Sequence, residues 1–129
     1  MILDITNMRI KIDKADQEFS YFIRLRDKEC RSCGSKVTLN AKGMTNSHHA
    51  SHYFGRGKES TRFDVENVDT LCFGCHQEWG SKDREGYRVF KLRQLGKTRF
   101  DLLTIQANSY KKRDRAMELI IIKEMLKHV

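Results

Sequence analysis

The residues best suited to chemistry are two Cys-x-x-Cys pairs, Cys30 with Cys33 and Cys72 with Cys75. Four thiolates arranged in two such pairs supply the tetrahedral sulfur ligands of a structural zinc ion. A zinc ion held by four thiolates keeps no open coordination position for a reactant. We therefore expect these cysteines to fix the shape of the protein, and other residues to perform its chemistry.

Three polar residues lie where such a zinc ion would fold them together. His52 and Asn67 are separated by 14 residues, and His76 follows after a further 8, directly beyond Cys75. This order resembles the HNH, or ββα-metal, nuclease motif, in which a strand, a returning strand and a helix surround one phosphate. Phosphodiester hydrolysis needs a base for water, a cation on the phosphate and a fixed orientation. The spacing predicts a site of this kind.

Side-chain chemistry assigns a role to each of the three residues. His52, neutral near pH 7, is predicted to accept a proton from water, while its second ring nitrogen bonds to an acceptor that fixes the tautomer. Asn67 is predicted to brace the loop or to orient that imidazole. His76 is predicted to bind a catalytic Mg²⁺ or Mn²⁺ ion that keeps open positions for phosphate oxygens and water.

The second ligand of this catalytic cation is a separate question. Many HNH enzymes carry Asp directly before the base histidine, and this chain has Ser51 there. His49, three residues before His52, is the first candidate. The other candidates are His48, Asp64 and Asp83.

The charge balance of the chain points to a polyanionic partner. Among 129 residues, 25 Lys plus Arg outnumber 17 Asp plus Glu, which gives a formal net charge of +8. Nucleic acid is the expected partner. A membrane is excluded as the partner, because the longest apolar run is only Leu119 to Ile122,. The predicted phosphate-binding residues are Arg24, Arg26, Arg56, Lys58 and Arg62.

The first residues, Met1 to Ile5, lack the positive and continuous apolar segments of a signal peptide,. We therefore expect a cytoplasmic protein, in an environment that keeps thiols reduced. For the two cysteine pairs, this favours zinc binding over disulfide formation or redox chemistry.

Apolar spacing and capping residues predict the elements that position these groups. A helix is predicted from residue 13 to 28, with Asp13 and Asp16 as candidate caps. Short strands are predicted at residues 36–39 and 45–54, joined as a hairpin. A further helix starts at the second cysteine pair. The aromatic residues predicted to cover the zinc site are Tyr53, Phe73 and Trp79.

Three more helices are predicted beyond residue 83. The first spans residues 84–95 and ends at Gly96, a favourable C-terminal cap. The second begins at a capping box formed by Thr98 and Asp101. Ser109 is the predicted cap of the third.

These elements predict a single α+β domain over residues 1–129, with a small zinc-stabilised ββα-metal core and flanking α-helices. An N-terminal arm and helix occupy residues 1–29, the core residues 30–82, and a helical region residues 83–129. Residues 1–12 alternate weakly and predict a strand or a loosely attached arm.

One known family is similar to this chain over roughly residues 16–103. The resemblance is to the phage NinG (Rap) recombination family. It rests on the motifs Asp16-x-x-Phe19-Ser20-x-x-Ile23-Arg24-x-Arg26-Asp27, Cys30-x-x-Cys33-Gly34, His52-Tyr53, Arg62-Phe63-Asp64-x-x-Asn67-x-x-x-x-Cys72-x-x-Cys75, and Gly86-Tyr87-Arg88 to Leu95-Gly96.

The resemblance implies a zinc-stabilised HNH-type endonuclease that acts on branched DNA, including Holliday junctions and D-loops, during phage recombination. The implied location is the cytoplasm of a bacterial host. Symmetric nicking of a junction requires two sites related by a two-fold axis, so a homodimer is expected. The candidate dimer surface is the apolar face of the last helix, formed by Met117, Ile120, Ile121 and Met125; the alternative is that this face packs on the helix at 98–108.

Two other functions compete with this interpretation. One is a zinc-finger DNA-binding protein without catalysis, which would use the cysteines for shape and the basic residues for phosphate. The second is a sequence-specific HNH homing or restriction endonuclease. The spacing of His52, Asn67 and His76 favours a nuclease, because a binding module has no need of it.

Overall fold

The computed structural model describes residues 10–45 and 47–129. Within these ranges the chain forms a two-stranded sheet surrounded by α-helices, which confirms the predicted α+β class. The elements in chain order are α1 (Lys14–Asp27), β1 (His48–His52), β2 (Val68–Cys72), α2 (Phe73–Gln77), α3 (Arg84–Leu95), α4 (Lys97–Ala107) and α5 (Arg115–Leu126). A short 3-10 turn at Glu59–Thr61 and a π-helical turn at Glu78–Lys82 connect them.

Residues 1–9 of the predicted N-terminal strand or arm lie outside the described residues. The described part of that segment, residues 10–13, leads into α1 without forming a strand. Among the described helices, none is long and apolar enough to cross a membrane.

The sheet pairs β1 with β2 in antiparallel register, with His48 opposite Cys72 and His52 opposite Val68. The predicted hairpin between residues 36–39 and β1 is wrong. Lys36 instead forms a single bridge with Glu29, which closes the loop around the first cysteine pair. The buried residues of β2 give β1 a better partner than the polar segment at 36–39,.

Helix α1 covers one side of the sheet. It begins with the predicted caps, since Asp13 and Asp16 form a reciprocal capping box,. Its apolar residues Phe19 and Ile23 are buried, and the Thr70 hydroxyl donates a hydrogen bond to the Ile23 carbonyl. The position of α1 therefore follows from its apolar stripe and from a direct bond to β2.

Helix α5 packs on α1 rather than on α4. Ile122 is buried there, with Leu119 and Leu126 beside it. The alternative considered for the last helix, packing on the helix at 98–108, is therefore wrong. The contact with α1 uses a different stripe of α5 from the apolar face predicted for the dimer.

Helix α3 covers the other side of the sheet. The Tyr87 hydroxyl lies 2.9 Å from the Ser51 hydroxyl and donates to the Ser51 carbonyl, while buried Lys91 forms an ion pair with Asp69 at 2.7 Å. Tyr53 and Trp79 pack with Tyr87 beside the cysteines, as predicted. The third aromatic residue predicted there, Phe73, is instead 56% exposed.

The predicted helix over residues 84–95 is confirmed at both ends. Two predicted caps are wrong. Gly96, with a φ of 82°, separates α3 from α4. Helix α4 therefore begins at Lys97, before Thr98, and no Thr98–Asp101 capping box forms. Asp114 caps α5, and the Ser109 hydroxyl instead donates to the Ile105 carbonyl at the end of α4.

Candidate functional site

The four cysteines form one cluster, with all four Sγ atoms within 4.8 Å of one another. The Sγ atoms of Cys33 and Cys72 are 3.8 Å apart, and all four thiols are free. A tetrahedral zinc ion with Zn–S bonds of about 2.3 Å separates its sulfur ligands by about 3.8 Å. The cluster therefore fits a structural zinc ion.

Each cysteine pair reaches the cluster through a tight turn. In the first pair, the Cys33 amide donates to the Cys30 Sγ at 3.4 Å, and Gly34 continues the turn with a φ of 80°. A hydrogen bond with the Ser35 hydroxyl is the main cause that lowers the pKa of Cys33 to about 6, which favours the metal-binding thiolate,. In the second pair, Cys72 ends β2 and Cys75 lies in α2.

His48 supports the cysteine loop rather than the second metal site. It is 5% exposed, and its Nε2 donates to the Ser35 carbonyl at 3.1 Å. Its Nδ1 lies 2.9 Å from the Ser47 hydroxyl. Because both ring nitrogens have partners, the geometry does not favour His48 as a catalytic ligand.

His52 ends β1 with the fixed tautomer that the predicted role requires. Its Nε2 lies 3.0 Å from the carbonyl oxygen of Arg62. A carbonyl only accepts, so Nε2 carries the proton and the lone pair of the neutral ring is on Nδ1. Burial, reinforced by the charge of Arg56, lowers the pKa of His52 to about 4,. The ring is therefore neutral near pH 7.

Asn67 acts on the loop between the strands. Its side chain is fully buried: Oδ1 accepts from the Phe54 amide, and Nδ2 donates to the carbonyls of Phe54 and Thr61. Thr61 is directly followed by the residue whose carbonyl binds His52. Of the two predicted roles for Asn67, the geometry supports bracing the loop, which positions the imidazole indirectly.

His49 and His76 meet beside this loop. Their ring centroids are 5.2 Å apart with an interplanar angle of 25°. The Nε2 of His49 and the Nδ1 of His76 are buried, and neither has a hydrogen-bond partner among the described residues. Burial lowers the pKa of both rings, which keeps their nitrogens unprotonated and able to bind a metal,. A buried nitrogen without a hydrogen-bond partner indicates that a ligand binds there.

Two arginines place positive charge around these rings. After burial, the charge of Arg24 is the next cause that lowers the pKa of His49. The charge of Arg56 lowers the pKa of both His52 and His76, so one guanidinium acts on the predicted base and on the predicted metal ligand. The Nε of Arg24 is buried without a hydrogen bond among the described residues, whereas the Nε of Arg56 lies 3.5 Å from the Asp16 carboxylate. The charges of the two arginines reach all three histidines, which suits a negatively charged group such as a phosphate,.

Two predicted phosphate ligands are used inside the protein, which corrects their assignment. Arg62 has a side chain only 6% exposed and forms two hydrogen bonds to Asp16, at 2.9 and 2.6 Å. Arg26 donates to the Asp27 carboxylate and to the carbonyls of Val65 and Val68. These partners occupy the guanidinium donors that a phosphate would need.

Three further predicted residues have partners outside the histidine pair. Lys58 is exposed and donates to the Asn108 side chain at 3.1 Å, so its charge remains at the surface. Asp64 accepts from the Glu66 amide in the turn before β2. Asp83 caps α3 through the Gly86 amide. The two carboxylates thus serve local backbone structure.

The sequence analysis missed the electrostatic role of Asp16, which it treated only as a helix cap. Arg62 and the neighbouring backbone overcome the cost of burial and lower the pKa of Asp16 to about 2. The Asp16 carboxylate also lies 3.5 Å from the Nε of Arg56. No local signal identifies this role, because Arg62 lies 46 residues further along the chain.

Comparison with known proteins identifies the family of this chain. The family model described as bacteriophage lambda NinG protein matches residues 4–128, nearly the whole sequence. No curated protein and no solved structure gives a significant match. On the extent of the match to the family model, the chain belongs to the bacteriophage lambda NinG family.

Proposed function

We propose that this protein is a metal-dependent, HNH-type endonuclease that hydrolyses phosphodiester bonds in branched DNA recombination intermediates such as Holliday junctions. The observation that carries the proposal is the pairing of His49 and His76, whose buried nitrogens lack partners. His52, on the same strand as His49, has a fixed tautomer and shares with His76 the nearby charge of Arg56. A purely structural loop gains nothing from this arrangement.

The residues of the site divide the work of hydrolysis. A divalent cation held by His49 and His76 would polarise the phosphate and stabilise the leaving oxygen. His52 accepts the proton of the attacking water through Nδ1, because Nε2 is bonded to the Arg62 carbonyl,. Arg56 offsets the negative charge that develops on the phosphate.

The low pKa of His52 is consistent with this role. A base with a pKa of about 4 is neutral but weak at pH 7,. A bound phosphate brings negative charge to the ring and raises the pKa toward the working pH. The base therefore gains strength when the substrate is present.

The preference for branched DNA is supported by family membership and by the surface of the molecule. A chain of net charge +8 suits a polyanion, and Lys58, in the loop between the two strands, offers an exposed ammonium,. Ile120 and Ile121 on α5 border a groove of about 750 Å³ with Phe22 and Met125. We propose that this apolar surface forms a homodimer, because symmetric nicking of a junction needs two active sites.

A zinc-stabilised DNA-binding protein without catalysis is the second candidate. It is favoured by one observation: within the described ranges, no third Cys, His, Asp or Glu joins His49 and His76 in a metal-binding group. A sequence-specific homing or restriction endonuclease is the third. It requires sequence-recognition elements in addition to the nuclease core.

One experiment separates the three candidates. Zinc-loaded wild type and the variants His52→Ala and Leu102→Ala are incubated with labelled four-way junction, flap and linear duplex DNA, with divalent cations or with EDTA. We expect no cutting by His52→Ala. We expect cation-dependent cutting of branched DNA by wild type and by Leu102→Ala, which shortens an exposed side chain of α4 that does not line the groove.

Two results would contradict the proposal. If wild type binds every DNA and cuts none, the non-catalytic module takes its place. If linear duplex is cut at one sequence as fast as a junction, the protein is instead a sequence-specific endonuclease.

A further inference from the structure

The segment that joins α4 to α5 carries a tyrosine at the surface of the protein. Tyr110 is 91% exposed, whereas Tyr53 and Tyr87 are buried beside the cysteine cluster. An aromatic side chain stabilises a fold mainly through the apolar area that it buries, and Tyr110 buries almost none. Its ring is therefore available to a ligand.

Two contacts tie the ends of this segment to the loop between β1 and β2. At its start, the Lys58 ammonium donates a hydrogen bond to the Asn108 side chain at 3.1 Å. At its end, the Arg113 guanidinium donates to the Ser60 carbonyl. The Gln106 side-chain amide, in the last turn of α4, donates to the same carbonyl at 2.9 Å. The exposed tyrosine thus lies in a short segment that is anchored on both sides to one loop.

The same loop leads directly to the proposed base. Two residues after Ser60, the Arg62 carbonyl accepts the hydrogen bond from the Nε2 of His52. Between them, the Thr61 carbonyl accepts from the Asn67 side chain. A ligand that binds at the tyrosine segment would therefore bind to the loop that also holds the base.

Three exposed ammonium groups accompany the tyrosine. Lys111 and Lys112 follow it directly in the chain, and Lys58 contacts the segment from the loop. The acidic residue next to Lys58, Glu59, is paired with Arg115 at 2.8 Å. The surface therefore keeps a positive balance of charge, which attracts phosphate groups.

A recess of about 270 Å³ lies between the loop and the segment, lined by residues 57–60 and 107–111. Lys58 and Tyr110 are both part of its lining. Cations combined with an aromatic ring on a concave surface are typical of sites for single-stranded nucleic acid, where the cations contact the backbone and the ring stacks on a base. A base inside a duplex is already stacked on both faces, so only an unpaired base can use such a ring.

We propose that Tyr110, Lys58, Lys111 and Lys112 form a binding surface for unpaired DNA strands, on which Tyr110 stacks against one base. Forks and flaps expose such bases where their strands separate, whereas linear duplex does not. The surface would therefore contribute to a preference for branched DNA. This inference rests on the DNA-binding part of the proposed function and not on catalysis.

The test compares the affinity of zinc-loaded protein for a forked duplex and for a linear duplex of the same length, without added divalent cation. Tyr110→Ala should lose about five- to a hundredfold in affinity for the fork, the range typical of stacking on one base, and keep its affinity for the duplex. Tyr110→Phe retains the ring and should bind both DNAs like wild type. Leu102→Ala, which shortens another exposed side chain, should also bind like wild type.

A fork with abasic nucleotides in its unpaired arms isolates the stacking interaction. Wild type should bind this fork about as weakly as Tyr110→Ala binds the intact fork, and Tyr110→Ala should bind the two forks alike. Lys111→Gln removes a charge but no ring, so it should weaken the binding of fork and duplex by similar factors. Far-ultraviolet circular dichroism verifies that each variant is folded.

The proposal is overturned if Tyr110→Ala binds the fork as tightly as wild type, or if it loses affinity for fork and duplex equally. The outcomes also separate it from the nuclease proposal. If Tyr110→Ala loses only the affinity for the fork but wild type cuts no DNA with any cation, the nuclease function fails and the binding surface stands. If wild type cuts branched DNA and Tyr110→Ala keeps the full preference for the fork, the binding surface fails and the nuclease stands.

Discussion

His52 illustrates how the site is built at the scale of single residues. Its Nε2 is bonded to a backbone carbonyl, and its surroundings disfavour the protonated ring. This environment lowers the free energy of unfolding at acidic pH, because an unfolded histidine titrates near pH 6.5. A histidine that is held neutral in this way makes the stability of the protein depend on pH.

We predict that stability falls as the pH drops from about 6.5 toward 4. Between these values the unfolded state binds more protons than the folded state, because the pKa of His52 is about 4 when folded,. The contribution of His52 is fully present above pH 6.5, and at most about 3 kcal/mol is lost on acidification. Urea denaturation at several pH values measures it. His52→Gln should flatten the dependence, whereas His128→Ala should not; an unchanged slope in His52→Gln would refute the assignment.

Two arginines of the same loop are predicted to differ in their roles. Arg62→Ala leaves the buried Asp16 carboxylate without its main partner, and we expect a loss of about 3 to 5 kcal/mol in the free energy of unfolding,. Arg56→Ala should cost less stability but weaken DNA binding, because Arg62 still pairs with Asp16.

Chemical denaturation and a DNA-binding titration at fixed salt measure these two effects. Equal stability losses in both variants, or an unchanged DNA affinity in Arg56→Ala, would contradict the division of roles.

At the scale of elements, the cysteine cluster joins the segments that carry the candidate site. Helix α2 has only five residues, too few to be stable alone,. Cys75 lies in the cluster with Cys30 and Cys33, and the next residue is His76. The register of β1 with β2 sets His49 opposite Leu71. A zinc ion held by the four cysteines would therefore fix α2 against the strand that carries His49.

Two glycine substitutions test this view of the cysteine turns. Gly34 has a φ of 80°, so Gly34→Ala should destabilise the zinc-bound protein by about 1 kcal/mol or more,. Gly74 lies in α2 with open space around it, so Gly74→Ala should stabilise the helix by up to about 1 kcal/mol,.

Thermal unfolding and zinc affinity measured by chelator competition compare the pair. If both substitutions shift stability in the same direction, the turn geometry does not control the zinc site.

At the scale of the whole molecule, α5 has two apolar sides, of which one is buried and the other is exposed. One side buries Ile122 against α1, while Ile120 remains 63% exposed and Ile121 46% exposed beside a groove. Large exposed apolar patches mark interaction sites in soluble proteins. The exposed side of α5 is therefore the surface on which the proposed homodimer depends.

We predict that Ile120→Glu converts a wild-type dimer into a monomer without unfolding it, because two charges would meet at the two-fold axis. Leu102→Glu is the matched control, since Leu102 is 59% exposed on α4 and does not line the groove. Analytical ultracentrifugation measures the mass of each. A monomeric wild type, or dissociation caused only by Leu102→Glu, would reject this surface.

Local spacing made several features predictable. The capping box of α1, the helix over residues 84–95 and the grouping of four cysteines all depend on residues close together in the chain or on a metal that joins short motifs. Of the predicted site residues, His49 and His76 lie together, since the second cysteine pair joins β2 to α2 and β2 pairs with β1.

The sequence by itself determined which side chains are candidates for the site, because motif spacing carries that information. Only the tertiary structure decided which arginine is bound inside the protein, which strand pairs with β1 and where α5 packs. Arg62 and Arg56 look alike in the sequence, and a carboxylate 46 residues before Arg62 separates their roles. The physical reason is that burial and pairing of charges are set by contacts between distant segments, which no local pattern records.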